Sequence, residues 1–426
     1  MAFDKEKFND CLAQFTVSKE ELNTIAANFR QDLKIGLKNP DDSSLRMLKS
    51  YVGLPTGKET GEYLAMDFGG TNVRILKIRL DGDGKYEIVK KVGKPLRVEG
   101  EYDYIGVGSK AKDMFDLFAG LIDEAIDGDH ETKYLLGHTF SFPSKQTNLY
   151  NARLIIWTKE FATEGVEGEV VNDLLKDALK RKGITNVEPT AVINDTVAVL
   201  LSAAYKKGST YIGSIYATGH NTCYLEPYAD SDEQPMILNL ESGNFSKLAP
   251  NRYDKILDDA SERPGEQRLE KMVSGRYMGE ILGVVLADLW GTDKKYKFTS
   301  IDMSAIIEDG SDFKETARIV EEKAGVKADA ETCGQVQTLV KAILNRSARL
   351  VTATFVGIVW QLTGNGKTKP QHIAVDGSVY EKMPGAKESI DQALKELLGE
   401  DAKIVDTVLD NGGSGLGAAI AAAMSK

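Results

Sequence analysis

The stretch Leu64-Ala-Met-Asp-Phe-Gly-Gly-Thr-Asn-Val-Arg-Ile-Leu-Lys-Ile78 reads as a short buried strand, a turn at Asp67 to Asn72, and a second strand with alternating apolar positions. The same order of strand, glycine turn and strand recurs in Tyr211-Ile-Gly-Ser-Ile-Tyr-Ala-Thr-Gly-His-Asn-Thr-Cys-Tyr-Leu-Glu226. The repetition points to two related α/β halves. A chain of 426 residues also exceeds what one core usually serves, so two domains of roughly 150 to 250 residues are expected.

In the first turn, Gly69 and Gly70 permit close approach of the backbone to a ligand and dihedrals closed to other residues. The turn then offers main-chain N–H groups and the Thr71 hydroxyl to a phosphate. Asp67 at the strand's end suits a Mg²⁺ held through its water shell, and Arg74 adds a fixed positive charge. An ordinary glycine hairpin has the same composition, and on this loop alone both readings stay open.

Ser18 and Glu21 form a capping box ahead of Leu22, Ile25, Ala26, Phe29 and Leu33, which share one helical face. A second helix is expected over 44–52, and a third strand over 86–92 after the Asp81-Gly-Asp-Gly84 turn. Helical spacing from Met114 to Ala125 followed by an apolar run over 134–142 predicts a helix and a strand, a crossover unit. Residues 143–169 lack a period and suit a functional loop or β-excursion. A helix over 170–181, a strand over 190–194 and a helix over 196–205 follow, with Asn194 and Asp195 at the strand-to-helix junction. Further strands are expected at 236–240, 372–376 and 403–408, with helices filling most of 265–362. Asn411-Gly-Gly-Ser-Gly-Leu-Gly417 opens an Ala-rich helix whose N-terminus is a natural phosphate site.

Charge and composition exclude several classes. A formal net charge of -11 argues against a nucleic-acid partner. Cys11, Cys223 and Cys333 lie far apart, which supports neither a disulfide framework nor a zinc site, and the four histidines lack ligand-like spacing. The charged start and the lack of an uninterrupted apolar run of about 18 residues lead to the expectation of a cytoplasmic protein that does not engage a membrane. Neither a Walker A pattern nor a dinucleotide fingerprint is present. Against this background Ser141, Thr158, Lys159, Asn194, Asp195, Asn221, Glu241 and Glu270 combine hydroxyl, amide, carboxylate and ammonium groups. A polyol requires that mixture, since each sugar hydroxyl can donate to a carboxylate while accepting from an amide or ammonium. Taken singly, each of these residues also serves as a cap or turn.

A resemblance decides between these readings. Leu64 to Ile78, Leu136-Gly-His-Thr-Phe-Ser-Phe-Pro-Ser144, Leu154-Ile-Ile-Trp-Thr-Lys-Glu-Phe161, Ile193-Asn-Asp-Thr196, Ile212 to Glu226, Leu238-Asn-Leu-Glu-Ser-Gly-Asn-Phe245, Leu269-Glu-Lys-Met-Val-Ser-Gly-Arg-Tyr-Met-Gly-Glu280, Ala374-Val-Asp-Gly-Ser-Val-Tyr380 and Gly413-Ser-Gly-Leu-Gly-Ala-Ala419 resemble, in order, the signature segments of the hexokinase family. The resemblance implies the two-domain actin-like ATPase (ribonuclease H-like) α/β fold. In it each domain is a mixed β-sheet flanked by helices and a cleft lies between the domains. The small domain would span 58–195 plus 414–426 and the large domain 1–57 plus 196–413.

The implied reaction is transfer of the γ-phosphoryl of MgATP to the 6-hydroxyl of a hexose, D-glucose being favoured, giving hexose 6-phosphate for glycolysis. Asp195 would be the general base, with Lys159 and Arg74 as further catalytic residues. Ser141, Phe142, Pro143, Thr158, Lys159, Asn194, Asp195, Asn221, Glu241 and Glu270 would bind the hexose. Asp67, Gly69, Gly70, Thr71, Asn72, Arg74, Thr218, Gly219, Gly377, Ser378, Gly413 and Ser414 would surround ATP, with Asp67 organising Mg²⁺ through water. Water resembles the sugar hydroxyl, so sugar-driven domain closure is the expected safeguard against ATP hydrolysis. A monomer or homodimer is expected. Ala217, His220, Gly412 and Leu416 depart from the usual family residues near the nucleotide, and Ala152, Arg153 and Glu160 depart around the Trp-Thr-Lys loop. A non-catalytic hexose sensor and an actin-like filament protein are the alternatives. A sensor does not require Asp67, Lys159 and Asp195 together, and filament formation gives no reason for the polyol-binding set.

Overall fold

Parity along the central strands decides how the layers form. In Thr60–Phe68, Leu64, Met66 and Phe68 belong to one buried apolar cluster, while Tyr63 and Ala65 belong to another. In Asn72–Gly82, Val73 and Ile75 join the first cluster, and Leu76, Ile78 and Leu80 the second. Successive side chains of a strand face opposite ways, so this sheet is covered on both faces.

A computed structural model of the chain describes residues 3–68, 70–158, 160–228 and 233–425. It contains two mixed sheets, of six and five strands. The chain divides into two compact units, one of Met1–Met47, Ser214–Thr222 and Leu240–Leu409, the other of Leu48–Gly213, Cys223–Asn239 and Asp410–Lys426. The first is helix-rich, and the second holds the five-stranded sheet.

In the sheet unit the strand order is Val187–Ile193, Tyr134–Phe140, Thr60–Phe68, Asn72–Gly82, Lys85–Pro95. The first three strands run parallel to one another and the last two are antiparallel hairpin neighbours. Parallel neighbours need crossovers, and the helices Ala111–Ala125 and Val171–Arg181 precede the two strands concerned. Both helices pack in the first apolar cluster. The second cluster is covered by Asp195–Lys207 and Gly413–Met424. Here glycine allows backbones to touch. A Cβ at Gly137 would lie 1.8 Å from the Ala418 carbonyl oxygen, and one at Gly417 would lie 2.1 Å from that of Ala198.

The helix-rich unit is built around Ala330–Thr363, 34 residues long. By length and composition this helix could span a membrane, but 89% of its apolar window is buried inside the protein. Its centre carries Arg346, which grips Asp254 through two 2.8 Å hydrogen bonds with both side chains 3% exposed. The strand Gln371–Asp376 runs parallel to Val405–Leu409 in this unit.

The expected capping box is present at Ser18 and Glu21, opening Lys19–Lys38. The helix expected over 44–52 does not form. Met47 and Tyr51 take left-handed backbone (φ 51° and 60°), and Leu48–Lys49 pairs as a short strand with Leu238 and Asn239. Upstream, the Ser44 N–H donates to the buried Asp32 carboxylate at 3.2 Å, which gives the backbone a partner outside any helix. The glycine turn is tighter than expected, since Asp67 and Asn72 themselves lie in strands.

His138 sits within Tyr134–Phe140, fully buried among rings of Phe68 and Phe140, and among the described residues neither ring nitrogen has a hydrogen-bond partner. Burial pushes its pKa down to about 3 from 6.5. The unfolded chain therefore binds a proton that the folded chain refuses between these values. Stability then falls as pH drops below about 6.5, by at most about 1.4 kcal/mol per pH unit. His220, pushed down to about 4 by burial, adds to the effect with the same sign. His138→Phe is expected to flatten the pH dependence of urea unfolding between pH 6.5 and 4 by close to one proton; an unchanged slope would exclude His138 as a source of acid sensitivity.

Candidate functional site

Within the sheet unit, the residues of the first glycine turn hang from the end of two paired strands. Asp67 lies opposite Arg74 in the antiparallel register and beside Thr139 in the parallel one. Its Oδ2 accepts a 3.0 Å hydrogen bond from the Ser414 hydroxyl and lies 3.5 Å from Arg74 Nη1. Thr139 Oγ1 donates to the Ser414 carbonyl at 2.8 Å, so the first turn of Gly413–Met424 is pinned to the two central strands. A Cβ at Gly70 would meet nothing within 4 Å, which leaves open space on that face of the turn. Thr71 is exposed and its carbonyl accepts from the Leu96 N–H. Gly69 and Lys159 lie outside the described residues.

A network of rings sets the positions of the sheet unit's polyol candidates. Phe140 and Phe142 flank half-buried Ser141, and Trp157 immediately precedes half-buried Thr158. Phe142 meets Trp157 and Phe161 edge-on, each at 4.8 Å between centroids, while Trp157 stacks on Phe161 at 5.1 Å. Phe68, next to Asp67, packs against Phe142 and Phe161 at 5.5 and 5.6 Å. The indole N–H donates to the Thr163 carbonyl at 2.9 Å, and the Pro143 carbonyl accepts from the Ile155 N–H. The resemblance placed Phe142 at the hexose, but that Phe68, Phe140, Trp157 and Phe161 pack around it was not read from the sequence.

Asn194 and Asp195 sit at the start of Asp195–Lys207. Asn194 is the N-cap, with Oδ1 accepting from the Thr196 N–H at 3.0 Å and hydroxyl at 2.8 Å. Asp195 occupies the first turn of the helix, where the backbone dipoles favour a negative charge. One further pair at this level was missed: buried Asp410 forms an ion pair with Lys206 three residues before Gly413.

Within the helix-rich unit, three more candidates come together. Asn221 Nδ2 donates to Glu241 Oε1 at 3.2 Å, and Asn221 Oδ1 accepts from the Ser242 N–H at 3.1 Å. Glu241 is held in left-handed backbone at φ 51°. Glu270 Oε2 accepts from the His220 N–H at 3.3 Å. Burial raises the Glu270 pKa, opposed by that N–H and by the charges of Arg276 and Lys271. The turn around Thr218 and Gly219 rests on the start of Gly275–Leu289, whose Gly275 and Arg276 N–H groups donate to the Ala217 and Thr218 carbonyls. Gly377, at φ 133°, passes so close to this hairpin that a Cβ would lie 2.4 Å from the Tyr216 carbonyl oxygen, with Ser378 exposed beside it.

Among the described residues no group of three or more His, Cys, Asp or Glu is arranged to hold a metal ion. A lone carboxylate such as Asp67, fixed by Ser414 and 22% exposed, suits Mg²⁺, which keeps most of its waters and binds substrate phosphates.

Two hexokinase family profiles match the chain, over residues 7–205 and 211–424. Hexokinase-1 of Schizosaccharomyces pombe is 34% identical across 96% of this chain and 89% of its own length. Hexokinase-7 of Oryza sativa subsp. japonica is also 34% identical, across 94% and 93%. Among solved structures, a crystal structure of a hexokinase superposes with a TM-score of 0.89 at 32% identity over 99% of both chains. A hexokinase from Schistosoma mansoni complexed with glucose gives 0.81 at 28% identity over 98% of both. The fold is thereby that of an actin-like sugar kinase. The chain belongs to the hexokinase family, and as such it is an enzyme that phosphorylates a hexose.

If the ring cluster is the mount for Ser141 and Thr158, Trp157→Ala should destabilise the protein by roughly 3–5 kcal/mol in denaturant unfolding. A loss under about 1 kcal/mol would mean that the cluster collapses around the gap and holds nothing in place.

Proposed function

We propose that the enzyme transfers the γ-phosphoryl group of MgATP to the 6-hydroxyl of D-glucose, yielding glucose 6-phosphate for glycolysis. The observation that carries this reading is the Asn194–Asp195 junction, where a capping amide and a carboxylate share the first turn of one buried helix. Asp195 orients the sugar hydroxyl and takes its proton late in the transfer. Ser141, Phe142, Pro143, Thr158, Lys159 and Asn194 bind the hexose together with Asn221, Glu241 and Glu270. The Asn221–Glu241 hydrogen bond supports this assignment, because it fixes an amide and a carboxylate as the donor and acceptor a diol needs.

Around the nucleotide, Gly69, Thr71, Asn72, Arg74, Thr218, Gly219, Gly377, Ser378, Gly413 and Ser414 supply N–H, hydroxyl and cationic groups, with Gly70 leaving open space beside the turn. Asp67, held by Ser414, orients the water shell of the metal. MgATP, when bound, supplies the phosphoryl group and a divalent charge. Positioning and charge stabilisation account for most of phosphoryl-transfer catalysis, and Arg74, Lys159 and the turn amides offset charge on the group in flight.

A coupled assay for glucose 6-phosphate tests the reading, and absence of product at millimolar glucose and MgATP would sink it. Asp195→Ala is expected to lower kcat by about two to four orders of magnitude while glucose binding persists; near wild-type turnover would remove Asp195 from the role of base. Changing Ala217 to Gly together with His220 to Ser is expected to shift the KM for ATP, because both residues shape the Thr218 turn. An unchanged KM would show that these departures do not govern nucleotide binding.

A further inference from the structure

Glu270 lies in Arg268–Val273, a helix of only six residues. Helices shorter than about a dozen residues do not hold their own shape in water. This one begins at Gln267 in left-handed backbone (φ 53°) with no side-chain cap. Its position is therefore set by what its side chains grip. Arg268 Nη1 donates to the Ser246 carbonyl at 2.6 Å. Lys271, adjacent to Glu270, has a side chain only 4% exposed. Its ammonium donates to the Arg263 carbonyl at 2.6 Å and is ion-paired with Asp258. Asp258 also accepts the Gly265 N–H, at 2.9 Å on one oxygen and 3.1 Å on the other. The pair thus ties the short helix to the turn that leads into it.

An ammonium this deeply buried is costly unless it keeps its carboxylate, so Lys271 and Asp258 hold each other in place. Glu270 has little slack of its own. A Cβ at Gly243 would lie 3.0 Å from Glu270 Cβ, and the Glu270 carbonyl accepts the Ser274 N–H at 2.9 Å. We propose that Lys271, acting through its ion pair with Asp258, is a positioning residue for the Glu270 carboxylate in hexose binding, an inference that rests on the hexose reading of Glu270. The ammonium is taken up by Asp258 and the Arg263 carbonyl rather than offered to the sugar. It fixes the turn and helix that present the acceptor.

Steady-state kinetics on the full chain with glucose and MgATP, for Lys271→Met, Lys271→Arg, Asp258→Asn and Glu270→Gln, provide the test. Lys271→Met and Asp258→Asn are expected to raise the KM for glucose about tenfold or more, since small misplacements of a binding group carry penalties of this order. The KM for MgATP and kcat should stay within about twofold, the signature of lost ground-state binding. Lys271→Arg keeps the charge and should recover most of the loss. An unchanged glucose KM in Glu270→Gln overturns the hexose reading itself. A raised KM in Glu270→Gln with an unchanged one in Lys271→Met overturns only the role of Lys271. Equal rises in both KM values, or a lost thermal transition without recovery in Lys271→Arg, would assign the pair to general stability and overturn it as well.

Discussion

The packing of aromatic rings around Phe68 is the constraint on which the sheet unit depends. Phe118, Phe142 and Phe161 lie 5.0 to 5.6 Å from it, and Phe140, His138 and Trp157 complete the cluster. Each such ring pair contributes about 0.5–1.5 kcal/mol beyond its burial. The chain neighbours of these rings are Asp67, Ser141 and Thr158. Apolar contact holds the backbone at Ser141 and Thr158 from below, while Asp67 is fixed in addition by the Ser414 hydroxyl. An arrangement of this kind positions polar residues without leaving their segments loose.

The helix-rich unit solves the same problem with charge. Arg346 and Asp254 are buried together at its centre, Arg349 reaches Glu396, and Lys271 reaches Asp258. In the other two pairs the cation is buried and its carboxylate half-buried. Pairs of this sort add little net stability over an apolar core, but losing the carboxylate leaves an uncompensated charge inside. They specify one arrangement and penalise others. Asn221, Glu241 and Glu270 are consequently fixed by polar bonds, one of them from the His220 backbone.

Much of this was legible in the sequence. The pattern in Leu64 to Ile78 gave two adjoining strands, Ser18 with Glu21 gave a helix start, and residues 143–169 were readable as an irregular excursion, in which the described residues form the two-residue strands Ser144–Lys145 and Arg153–Leu154. The helix expected over 44–52 failed because long-range bonds to Asp32 and left-handed turns at Met47 and Tyr51 overrode local spacing. Contacts between distant segments left no local trace. Ser414 and Asp67 are 347 residues apart, and Lys271 looks like a surface charge until its burial against Asp258 is known. The rings at 140, 142, 157 and 161 follow no period, so only the fold reveals that they meet.

The bare backbone contact between Gly137 and Ala418 bears on the order in which the protein can be made. Both units are assembled from separated segments, and the sheet unit takes Gly413–Met424, far from its strands in sequence, into its core. Domains usually fold as they leave the ribosome, N-terminal parts first. Here the groove lined by Gly137 and Ala198 must stay uncovered until Gly413–Met424 has been synthesised. Completion of the sheet unit therefore waits on a segment made 347 residues after Asp67, and the Asp67–Ser414 bond closes only once that segment is free of the ribosome.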